Sequence, residues 1–520
     1  MRLLIYIAFP VCFLSDSSCS SGEKSVHREQ GGQETGYYQE RHRPQFHFSP
    51  ESQWMNDPNG LVFIEGVYHL FYQHFPDSNI WGPMHWGHAI STDLVHWEHK
   101  PVGLYPDEHG YIYSGSAVYD SDNTSGLGTS DNPPVVAIFT YHDPSGEKAG
   151  KIDFQNQGIA FSLDNGETWK KYSGNPVLKN PGTRDFRDPR VIWHEPSDKW
   201  IMVLAAGDHV SFYSSTDLIR WSFESDFGSR LGAHGGVWEC PDLFKLELPG
   251  VEKWVLLVSI NPGGFNGGSA TQYFIGEFTG KYFMADSPIT RWLDYGMDNY
   301  AGVTWSNTGS RRIFIGWMSN WLYANKVPTT IWRSAMTLPR ELNLVKTING
   351  LELASMPVPE IYQIRNEEFS IGHFLVESTF DLSNQSNTRF SAFELSFLIK
   401  NASSFKVRIS NSIGDSLVVG YHGFKLGDNR FYIDRRGSGE TDFAPEFAGI
   451  HFSPRRSLEK DIHVQIFFDV SSVEFFADHG QTVMTDIFFP DAILDKIEII
   501  AAENLEIADL KLYGINSIWD

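Results

Sequence analysis

Three acidic side chains stand in short motifs that restrict their position. Asp57 lies in the run WMNDPNG, Asp188 in FRDPRV and Glu239 in VWECPDLF. The proline after each aspartate fixes a backbone angle, and the glycine that ends the first run permits a tight turn. Hydrolysis of a glycosidic bond needs such groups: an ionised carboxylate at the anomeric carbon and a protonated carboxyl for the leaving oxygen, about 5 to 5.5 Å apart when configuration is retained.

The neighbours of the second and third acids favour different protonation states. Arg187 precedes Asp188, and its positive charge favours the ionised carboxylate. Burial of Glu239 beside the preceding tryptophan would favour the protonated carboxyl that a general acid needs. Each motif also has a purely structural interpretation: Asp-Pro is an ordinary turn sequence, the arginine and the aspartate can form a structural ion pair, and Glu239 can be exposed. Cys240 is interpreted as a small buried neighbour rather than a nucleophile.

A repeated turn indicates how acids so far apart in the chain are brought together. The run STDLVHW at residues 91–97 recurs as STDLIRW at 215–221, with a looser copy, SLDNGETW, at 162–169 and a candidate fourth copy at 288–292. Each of the first three follows a strand-like run and supplies a polar turn before a tryptophan, as a repeated hairpin does. This repetition predicts a β-propeller, in which the acids fall on different blades and meet at the axis from equivalent inner-strand positions. The alternative is that Asp-to-Trp turns are ordinary hairpin chemistry.

The length of the chain requires a second domain. Because 520 residues exceed one compact core, two domains are expected. Two prolines within residues 351–360 indicate an interdomain connection, and alternating apolar runs from residue 390 onwards predict a β-sandwich. The predicted organisation is a signal segment at residues 1–19, a flexible tether at 20–40, a propeller at 41–345, a linker at 346–365 and a sandwich at 366–520.

The N-terminal segment has the features of an export signal. Arg2 precedes an apolar run at residues 3–14 that is too short to span a bilayer. Small residues before Cys19 resemble a bacterial lipoprotein processing site, although Asp16 departs from the usual apolar residue. Lipidation of Cys19 is therefore predicted, with ordinary cleavage and release as the alternative. The chain is expected to be exported: secreted, periplasmic or lipid-anchored at the cell surface.

The charge of the chain excludes several partners. Its 41 Lys and Arg face 64 Asp and Glu, a formal net charge of −23, which opposes binding to nucleic acid or to an anionic membrane surface. A membrane contact is therefore expected only through a lipid at Cys19. The histidines between residues 69 and 99 lack a compact metal-ligand spacing, and neither a metal nor another cofactor is predicted. No feature of the sequence specifies an oligomeric state.

The motifs resemble those of the β-fructofuranosidases of glycoside hydrolase family 32, which comprise invertases, inulinases and levanases. The resemblance begins with RPQFHFSPESQWMNDPNGLVF at residues 43–63 and continues through YSGSA at 113–117 and the runs around Asp188 and Glu239. It ends with DRRGSG at 434–439 and VSSVEFF at 470–476. The resemblance implies an all-β chain, with a five-bladed β-propeller followed by a C-terminal β-sandwich.

The same resemblance implies a role for each acid. Asp57 is the expected nucleophile and Glu239 the general acid and then base. Asp188 is the expected transition-state stabiliser, which binds the hydroxyls of the terminal fructose together with Arg187. These roles agree with the chemistry, since fructose departs with positive charge spread over its ring oxygen and anomeric carbon. The other substrate-binding residues that the resemblance implies are Trp54, Met55, Asn56, Gln73, Trp81, Tyr113, Ser114 and Trp317.

The run GWMSNWLYA at residues 316–324 resembles the fructan-cleaving members more than dedicated sucrose enzymes. The expected function is a retaining, double-displacement hydrolase that removes terminal β-D-fructofuranosyl residues from levan and inulin, and also from sucrose. One alternative is an endo-acting enzyme with the same acids, and another is a fructan-binding protein without turnover, although all three acids are intact. A sialidase is disfavoured, because it binds an acidic sugar through several arginines and only Arg187 accompanies the acids.

Overall fold

Apolar strands and polar turns alternate along most of the chain, and the computed structural model arranges them as a propeller followed by a sandwich. The structure describes residues 36, 38–386, 390–423 and 428–519, and the described residues from 38 onwards belong to one compact unit. The predicted signal segment with Cys19, and most of the predicted tether, lie outside the described residues. Among the helices that the structure describes, none is long and apolar enough to cross a membrane.

The predicted tether extends too far along the chain. Tyr38 is buried, and its ring stacks on Trp519 with the ring centroids 3.9 Å apart. Its hydroxyl donates to the carbonyl oxygen of Ser49 over 2.8 Å. Because these contacts fix the side chain, residues 38–40 are part of the folded unit, and the prediction of a flexible segment as far as residue 40 is wrong at its end.

Each of the first three blades contains four consecutive antiparallel strands, and a short strand from later in the chain pairs in parallel with the inner strand of the first. The repeated turns at residues 91–97, 162–169 and 215–221 each connect the third strand of a blade to its outer strand. In each turn the aspartate accepts backbone N–H groups, as Asp93 does from Val95 over 3.0 Å. The repeated turns therefore form hairpins in successive blades of the predicted propeller. The strands are β1 (Gln53–Ile64), β2 (Val67–Phe75), β3 (His85–Ser91), β4 (Glu98–Leu104), β5 (Tyr111–Tyr119), β6 (Val135–His142), β7 (Gln155–Ser162), β8 (Lys170–Lys171), β9 (Phe186–His194), β10 (Lys199–Ala206), β11 (Val210–Ser215) and β12 (Ser222–Phe227).

Two further blades complete a ring of five. The candidate fourth copy of the turn, at residues 288–292, differs from the others, because it leads into a two-residue strand that pairs with the third strand beside a separate outer strand. The ring closes between the last and first blades, where the Ser306 N–H donates to the Leu61 carbonyl and the Phe63 N–H to the Ser306 carbonyl, each over 3.0 Å. The strands are β13 (Val237–Leu248), β14 (Val251–Asn261), β15 (Ala270–Phe278), β16 (Phe283–Ala285), β17 (Arg291–Trp292), β18 (Tyr300–Thr304), β19 (Ile313–Met318), β20 (Trp332–Arg333, paired with β1), β21 (Ala335–Met336), β22 (Arg340–Thr347) and β23 (Gly350–Pro357).

The C-terminal domain is a sandwich of two six-stranded antiparallel sheets. Buried side chains of both sheets, such as Leu395 and Ile466 from one and Val419 and Ile499 from the other, form its core. In spatial order the first sheet contains β24 (Arg365–Val376), β35 (Leu505–Ile515), β26 (Phe393–Ile399), β31 (Ile462–Asp469), β32 (Ser472–Ala477) and β33 (Thr482–Ile487), and the second β25 (Thr379–Asp381), β34 (Lys496–Ala501), β27 (Phe405–Ser410), β28 (Ser416–His422), β29 (Arg430–Gly437) and β30 (Ile450–Pro454).

The linker predicted at residues 346–365 does not match the observed connection. Strands β22 and β23 pair from Arg340 opposite Pro357 to Thr347 opposite Gly350, so the first part of that segment is a hairpin of the fifth blade. The connection is a 3₁₀ helix at Pro359–Ile364. A proline is tolerated at the end of a strand, so the two prolines mark only the end of the blade. The other short helices are α1 (Pro144–Lys148), α2 (Leu382–Ser386) and 3₁₀ turns at Glu195–Ser197, Ala324–Lys326 and Lys400–Ala402.

A buried network of charged side chains joins the two domains. Arg340 of β22 donates to Glu474 of β32 over 2.6 Å and to Asp294 of the propeller over 2.9 Å. His47 lies between Asp469, at 2.8 Å, and Glu474, at 3.1 Å. Burial opposes the charged imidazole, but the two carboxylates outweigh it and raise the pKa of His47 to about 9. The charges therefore compensate one another inside the interface.

Candidate active site

The innermost strand of every blade brings polar side chains to one end of the propeller axis. These side chains contact one another across the blades, so residues from distant parts of the chain form one cluster. The three acids predicted from the sequence come together there from the first, third and fourth blades. The cluster consists of Asp57 on β1, Ser114 on β5, Arg187 and Asp188 on β9, Glu239 and Cys240 on β13, and Tyr300 on β18.

A β-bulge interrupts each of these five inner strands at the cluster. Between the two pairs of opposing residues that flank each bulge, the inner strand advances by three residues and the neighbouring strand by two. The extra residue bends the inner strand and redirects its side chains. Glu239 comes just before its bulge, Asp188 is the first residue of its bulge and Asp57 is the second residue of its bulge. The sequence predicts equivalent strand positions for the three acids, and this prediction is wrong. The residues that flank the bulges are Met55 and Pro58, Ile112 and Gly115, Arg187 and Arg190, Glu239 and Asp242, and Tyr300 and Val303.

Three of the bulges hold a strained backbone, one of them at Ala301 with φ 54°. Asp188 has φ 62° and Cys240 has φ 44°, a region that non-glycine residues rarely adopt and that a following proline disfavours further. The Asp188 N–H donates to Thr140 Oγ1 and the Cys240 N–H to Asp188 Oδ2, each over 3.0 Å. Strain of this kind persists where surrounding contacts impose it, and it is concentrated at functional sites.

Asp57 is held by hydrogen bonds on both carboxylate oxygens. Oδ1 accepts from Asn56 Nδ2 and Oδ2 from Ser114 Oγ, each over 3.0 Å. Trp54 Nε1 donates to Asn56 Oδ1 over 2.7 Å, which turns the amide N–H groups towards the carboxylate. The thiol sulfur of Cys240 lies 3.5 Å from Asp57 Oδ2. The carboxylate is thus fixed in one orientation before any ligand arrives.

Glu239 is held by a guanidinium group and a phenol. Arg187 donates to Oε1 from Nε over 3.1 Å and from Nη2 over 2.9 Å, and the Tyr300 hydroxyl donates to Oε2. Arg187 also donates to Asp185 over 2.7 Å but lies 3.9 Å from Asp188. The arginine therefore pairs more closely with Glu239 than with the neighbouring aspartate, and the Glu239 side chain is 19% exposed rather than fully buried.

Burial raises the pKa of both aspartates. It raises the pKa of Asp57 to about 6, with a further increase from the charge of Glu239 and an opposing effect from the hydrogen bonds of Asn56 and Ser114. It raises the pKa of Asp188 to about 7, because burial and the charges of the other acids outweigh the opposing charge of Arg187. The charge of Arg187 favours the ionised carboxylate of Asp188, as predicted, but burial and the neighbouring acids outweigh it. Carboxyl groups this close cannot all be ionised without cost.

One side chain of the cluster, Tyr300, and two that contact the cluster, Thr140 and Asp185, were not identified from the sequence. Tyr300 and Thr140 stand in none of the motifs that were singled out, and each acts on a residue of another blade. Asp185 lies two residues before Arg187 and holds its guanidinium group, so an inspection of the acids next to that motif would have found it.

Two aromatic residues that were predicted to bind substrate lie where a ligand can reach them. The Trp81 side chain is 39% exposed and meets the Tyr113 ring edge-on, with centroids 6.3 Å apart. Tyr113 is half-buried and stacks on His142 with centroids 4.3 Å apart. A π-face or an exposed aromatic edge at the rim of a polar site suits the apolar face of a sugar.

Six of the predicted substrate-binding residues are buried, including Asn56 at 3% and Ser114 at 4% exposure. Trp54, Met55 and Trp317 have no exposed surface, and Gln73 is 2% exposed. Direct contact of Trp54 and Met55 with a ligand does not fit this burial, since both pack behind the polar groups. Trp321, which is partly exposed, packs against Trp54 and Trp317 with ring centroids 5.9 and 4.9 Å away. The side-chain N–H groups of Gln73 and Trp317 are buried and have no hydrogen-bond partner among the described residues.

A buried ion pair fills the axis beneath the acids. Arg190 Nε lies 2.8 Å from Asp242 Oδ1, and both side chains are buried. The Thr304 N–H donates to Asp242 over 2.6 Å, and the Thr304 carbonyl accepts from Arg190 over 2.9 Å. Arg190 separates a water-sized void of about 10 Å³ under the acids from a cavity of about 800 Å³ on the other side. The acids are therefore reached from one end of the axis.

Three carboxyl groups at the axis of a five-bladed propeller, two of them with raised pKa values, are the kind of groups that hydrolysis of a glycosidic bond needs. The domain "Glycosyl hydrolases family 32 N-terminal domain" matches residues 47–357, and "Glycosyl hydrolases family 32 C terminal" matches residues 360–514. The chain belongs to glycosyl hydrolase family 32 and is a hydrolase of the fructofuranosidase type. The family and the enzyme class predicted from the motifs are confirmed.

The chain is also similar in sequence and structure to individual proteins with related activities. The chain is 44% identical over 502 residues to the levanase of Bacillus subtilis (strain 168), covering 94% of this chain and 72% of that protein. It is 38% identical over 530 residues to the extracellular exo-inulinase of Aspergillus ficuum, covering 93% and 96%. The structure of the β-fructofuranosidase of Schwanniomyces occidentalis complexed with fructosyl-erythritol is similar with a TM-score of 0.83, at 31% identity and covering 93% and 99%. The predicted fold class is confirmed.

Proposed function

We propose that this chain removes terminal β-D-fructofuranosyl residues from levan and inulin, and also from sucrose, with retention of configuration. The observation that carries the proposal is the position of the acids, which lie at one end of an axis that Arg190 and Asp242 fill beneath them. A site with such a floor suits the end of a chain better than its middle. The names of the levanase and exo-inulinase relatives, which denote enzymes of two fructans, support the substrate class.

In the first step, Asp57 is the nucleophile. One of its carboxylate oxygens attacks C2 of the terminal fructosyl unit, the bond from C2 to the leaving oxygen breaks, and that oxygen takes its proton from Glu239. Oε1 of Glu239 accepts from two N–H groups of Arg187, which cannot act as acceptors, whereas Oε2 contacts the Tyr300 hydroxyl, which can turn to accept a hydrogen bond. The proton is therefore assigned to Oε2. The products are the released alcohol and an ester between fructose and Asp57.

In the second step, Glu239 is the base. It accepts a proton from water, the water oxygen attacks C2, and the ester bond breaks to release fructose and to restore the carboxylate of Asp57. Positive charge develops on the ring oxygen and C2 in both steps, and an ionised Asp188 stabilises it. Arg187 and Asp188 provide the donor and the acceptor for the sugar hydroxyls, and Asn56, Ser114 and the rim aromatics complete the proposed binding set.

The proposal extends to the location of the enzyme. A polymeric substrate is met outside the cell, the N-terminal segment has the features of an export signal, and one relative is called extracellular. A lipid at Cys19 remains the proposed membrane contact. The proposed partners are thus a fructan or sucrose, with no cofactor.

The products released from three substrates test the proposal. We expect the purified enzyme to release fructose as the only early product from levan and from inulin, and fructose with glucose from sucrose, when the time course is resolved by chromatography. A ladder of oligosaccharides at early times would contradict exo action and indicate an endo-acting enzyme. Absence of any product, together with retained binding to a fructan column, would indicate a binding protein.

The acid side of the pH profile follows from the buried site. Because Asp57 and Asp188 must both be ionised and their pKa values are raised to about 6 and about 7, kcat/KM is expected to fall with decreasing pH at a midpoint displaced well upward from the ordinary value of 3.8. Ser114→Ala removes a hydrogen bond to the ionised form and should move this midpoint to higher pH. Ser173→Ala, at an exposed position, is the control and should leave it unchanged. A midpoint near 4 in both the unmodified enzyme and Ser114→Ala would contradict the assignment.

A further inference from the structure

Two histidines and a glutamate form a compact cluster on the surface of the sandwich. One ligand atom each from Glu459, His463 and His479 lies within 4.8 Å of the others. Nε2 of His463 is 3.7 Å and Nε2 of His479 is 4.0 Å from Oε2 of Glu459. The two imidazole rings have centroids 3.9 Å apart. One ring nitrogen of each histidine and one carboxylate oxygen therefore lie close together.

The backbone that carries these side chains is held by one buried arginine. Arg455 donates from Nη2 to the carbonyl oxygens of Glu459 and Asp461, each over 2.8 Å. Its Nε and Nη2 also donate to the carboxylate of Asp478 over 2.8 and 3.1 Å. Asp478 in turn donates its N–H to the carbonyl oxygen of His463 over 2.9 Å. The segment with Glu459, the start of β31 and the turn after β32 are thus fixed relative to one another, so little backbone ordering is needed for all three side chains to act together.

The electrostatics of the cluster suit a cation. The carboxylates of Glu459, Asp478 and Asp461 all act on His463. Burial, and then the neighbouring imidazole of His479, lower the pKa of His463, which favours the neutral ring that binds metal ions. Two imidazoles in contact repel each other when both are protonated. Two neutral imidazoles do not, and both can bind the same metal ion.

We propose that Glu459, His463 and His479 form a binding site for a divalent transition-metal ion such as Zn²⁺. Zinc takes imidazole nitrogen at about 2.0 to 2.1 Å and carboxylate oxygen at about 2.0 to 2.2 Å in a tetrahedral arrangement, and three protein ligands leave the fourth position for water. Ligand atoms in such a tetrahedron are about 3.3 Å apart. The side chains are 42% to 57% exposed, so they can rotate to bring the ligand atoms together, and the two rings, whose centroids are 3.9 Å apart, separate as they do so.

The site is separate from the acids of the propeller and has a different effect. A metal ion would tie the segment before β31 to the turn between β32 and β33, and it would stabilise the sandwich in proportion to the logarithm of the metal concentration above its Kd. Imidazole ligands favour zinc, copper and nickel over calcium and magnesium. The histidines between residues 69 and 99, which were considered from the sequence, have no part in it.

Calorimetric titration of the tag-free protein with ZnCl₂ at pH 7.5 tests the proposal. We expect one site per chain, with affinity reduced at least tenfold by His463→Ala and by His479→Ala, and no measurable binding in the double variant. The matched control is His373→Ala, which removes an exposed histidine of the same sandwich that pairs with Glu506 at 2.7 Å without a second histidine. This control should bind zinc as the unmodified protein does.

A second readout separates loss of the site from loss of the fold. Cobalt(II) bound in a tetrahedral site of nitrogen and oxygen ligands gives a visible absorption band, which we expect for the unmodified protein and for His373→Ala but not for the double variant. Hydrolysis of sucrose should be the same in all of these proteins, since none of the changed residues touches the acids. Equal zinc affinity in the unmodified protein and the double variant, with activity retained, would overturn the proposal.

Discussion

Asp57→Ala is expected to lower the rate of fructose release by about 10⁴-fold or more, because removal of a nucleophile eliminates the covalent route and leaves only the catalysis due to binding and the remaining groups. Glu239→Ala is expected to lower it by a similar order for sucrose and fructans, whose leaving groups need a proton. Initial rates of fructose release from sucrose measure both effects, with circular dichroism to establish that each variant is folded.

Azide distinguishes the two roles, which a loss of rate by itself does not. In Asp57→Ala the azide ion can occupy the space of the lost carboxylate and attack C2 directly, so the fructosyl azide formed should have the inverted configuration. In Glu239→Ala the ester with Asp57 still forms, and azide should attack it to give the azide of retained configuration. The opposite assignment of products would contradict the proposed roles.

A matched control is available for the nucleophile. Asp164 is also an aspartate, and its carboxylate accepts hydrogen bonds from Thr168 in a repeated turn. That turn connects the third and outer strands of the second blade, away from the inner strands that form the cluster. Asp164→Ala should retain activity close to that of the unmodified enzyme, with at most a local effect on its turn. Loss of activity in this variant comparable with that of Asp57→Ala would mean that the assay reports folding rather than catalysis.

Arg340→Met is expected to reduce the free energy of unfolding by about 3–5 kcal/mol, because it leaves the buried carboxylate of Asp294 without its cation and that of Glu474 with His47 as its remaining cation. Arg340 is fully buried, donates to Glu474 over 2.6 and 3.0 Å and to Asp294 over 2.9 Å, and joins the propeller to the sandwich. Methionine has a similar length and fills most of the space, so the effect reports the lost charge more than a cavity. Urea unfolding followed by tryptophan fluorescence measures it.

The control for this change is an exposed ion pair on the surface of the sandwich. Arg436 pairs with Asp434 at 2.8 Å, but its side chain is 61% exposed, and exposed pairs contribute little to stability. Arg436→Met should leave the urea midpoint unchanged. Equal midpoints for Arg340→Met and Arg436→Met would show that the buried network does not hold the two domains together.

Local sequence features identified most of the architecture, because they act over a few residues. The Asp-to-Trp turns predicted hairpins, and three of them connect the third strand of a blade to its outer strand. The fourth, at residues 288–292, differs because its blade already has an outer strand from an earlier segment. The two prolines near residue 357 marked the end of the propeller, but the pairing of β23 with β22 placed the start of the connection later than predicted, within the C-terminal part of the predicted linker.

The sequence by itself determined which acids stand in rigid motifs, and the family to which those motifs belong. Asp57, Asp188 and Glu239 were found from turn residues next to them in the chain. Only the tertiary structure decided what surrounds them: the partnership of Arg187 with Glu239, and the contact of Tyr300 with the same carboxylate. The burial that removes Trp54 from direct contact with a ligand was decided in the same way. The physical reason is that these features arise when five separately formed blades close into a ring, and that bulges in all five inner strands then set the direction of each side chain.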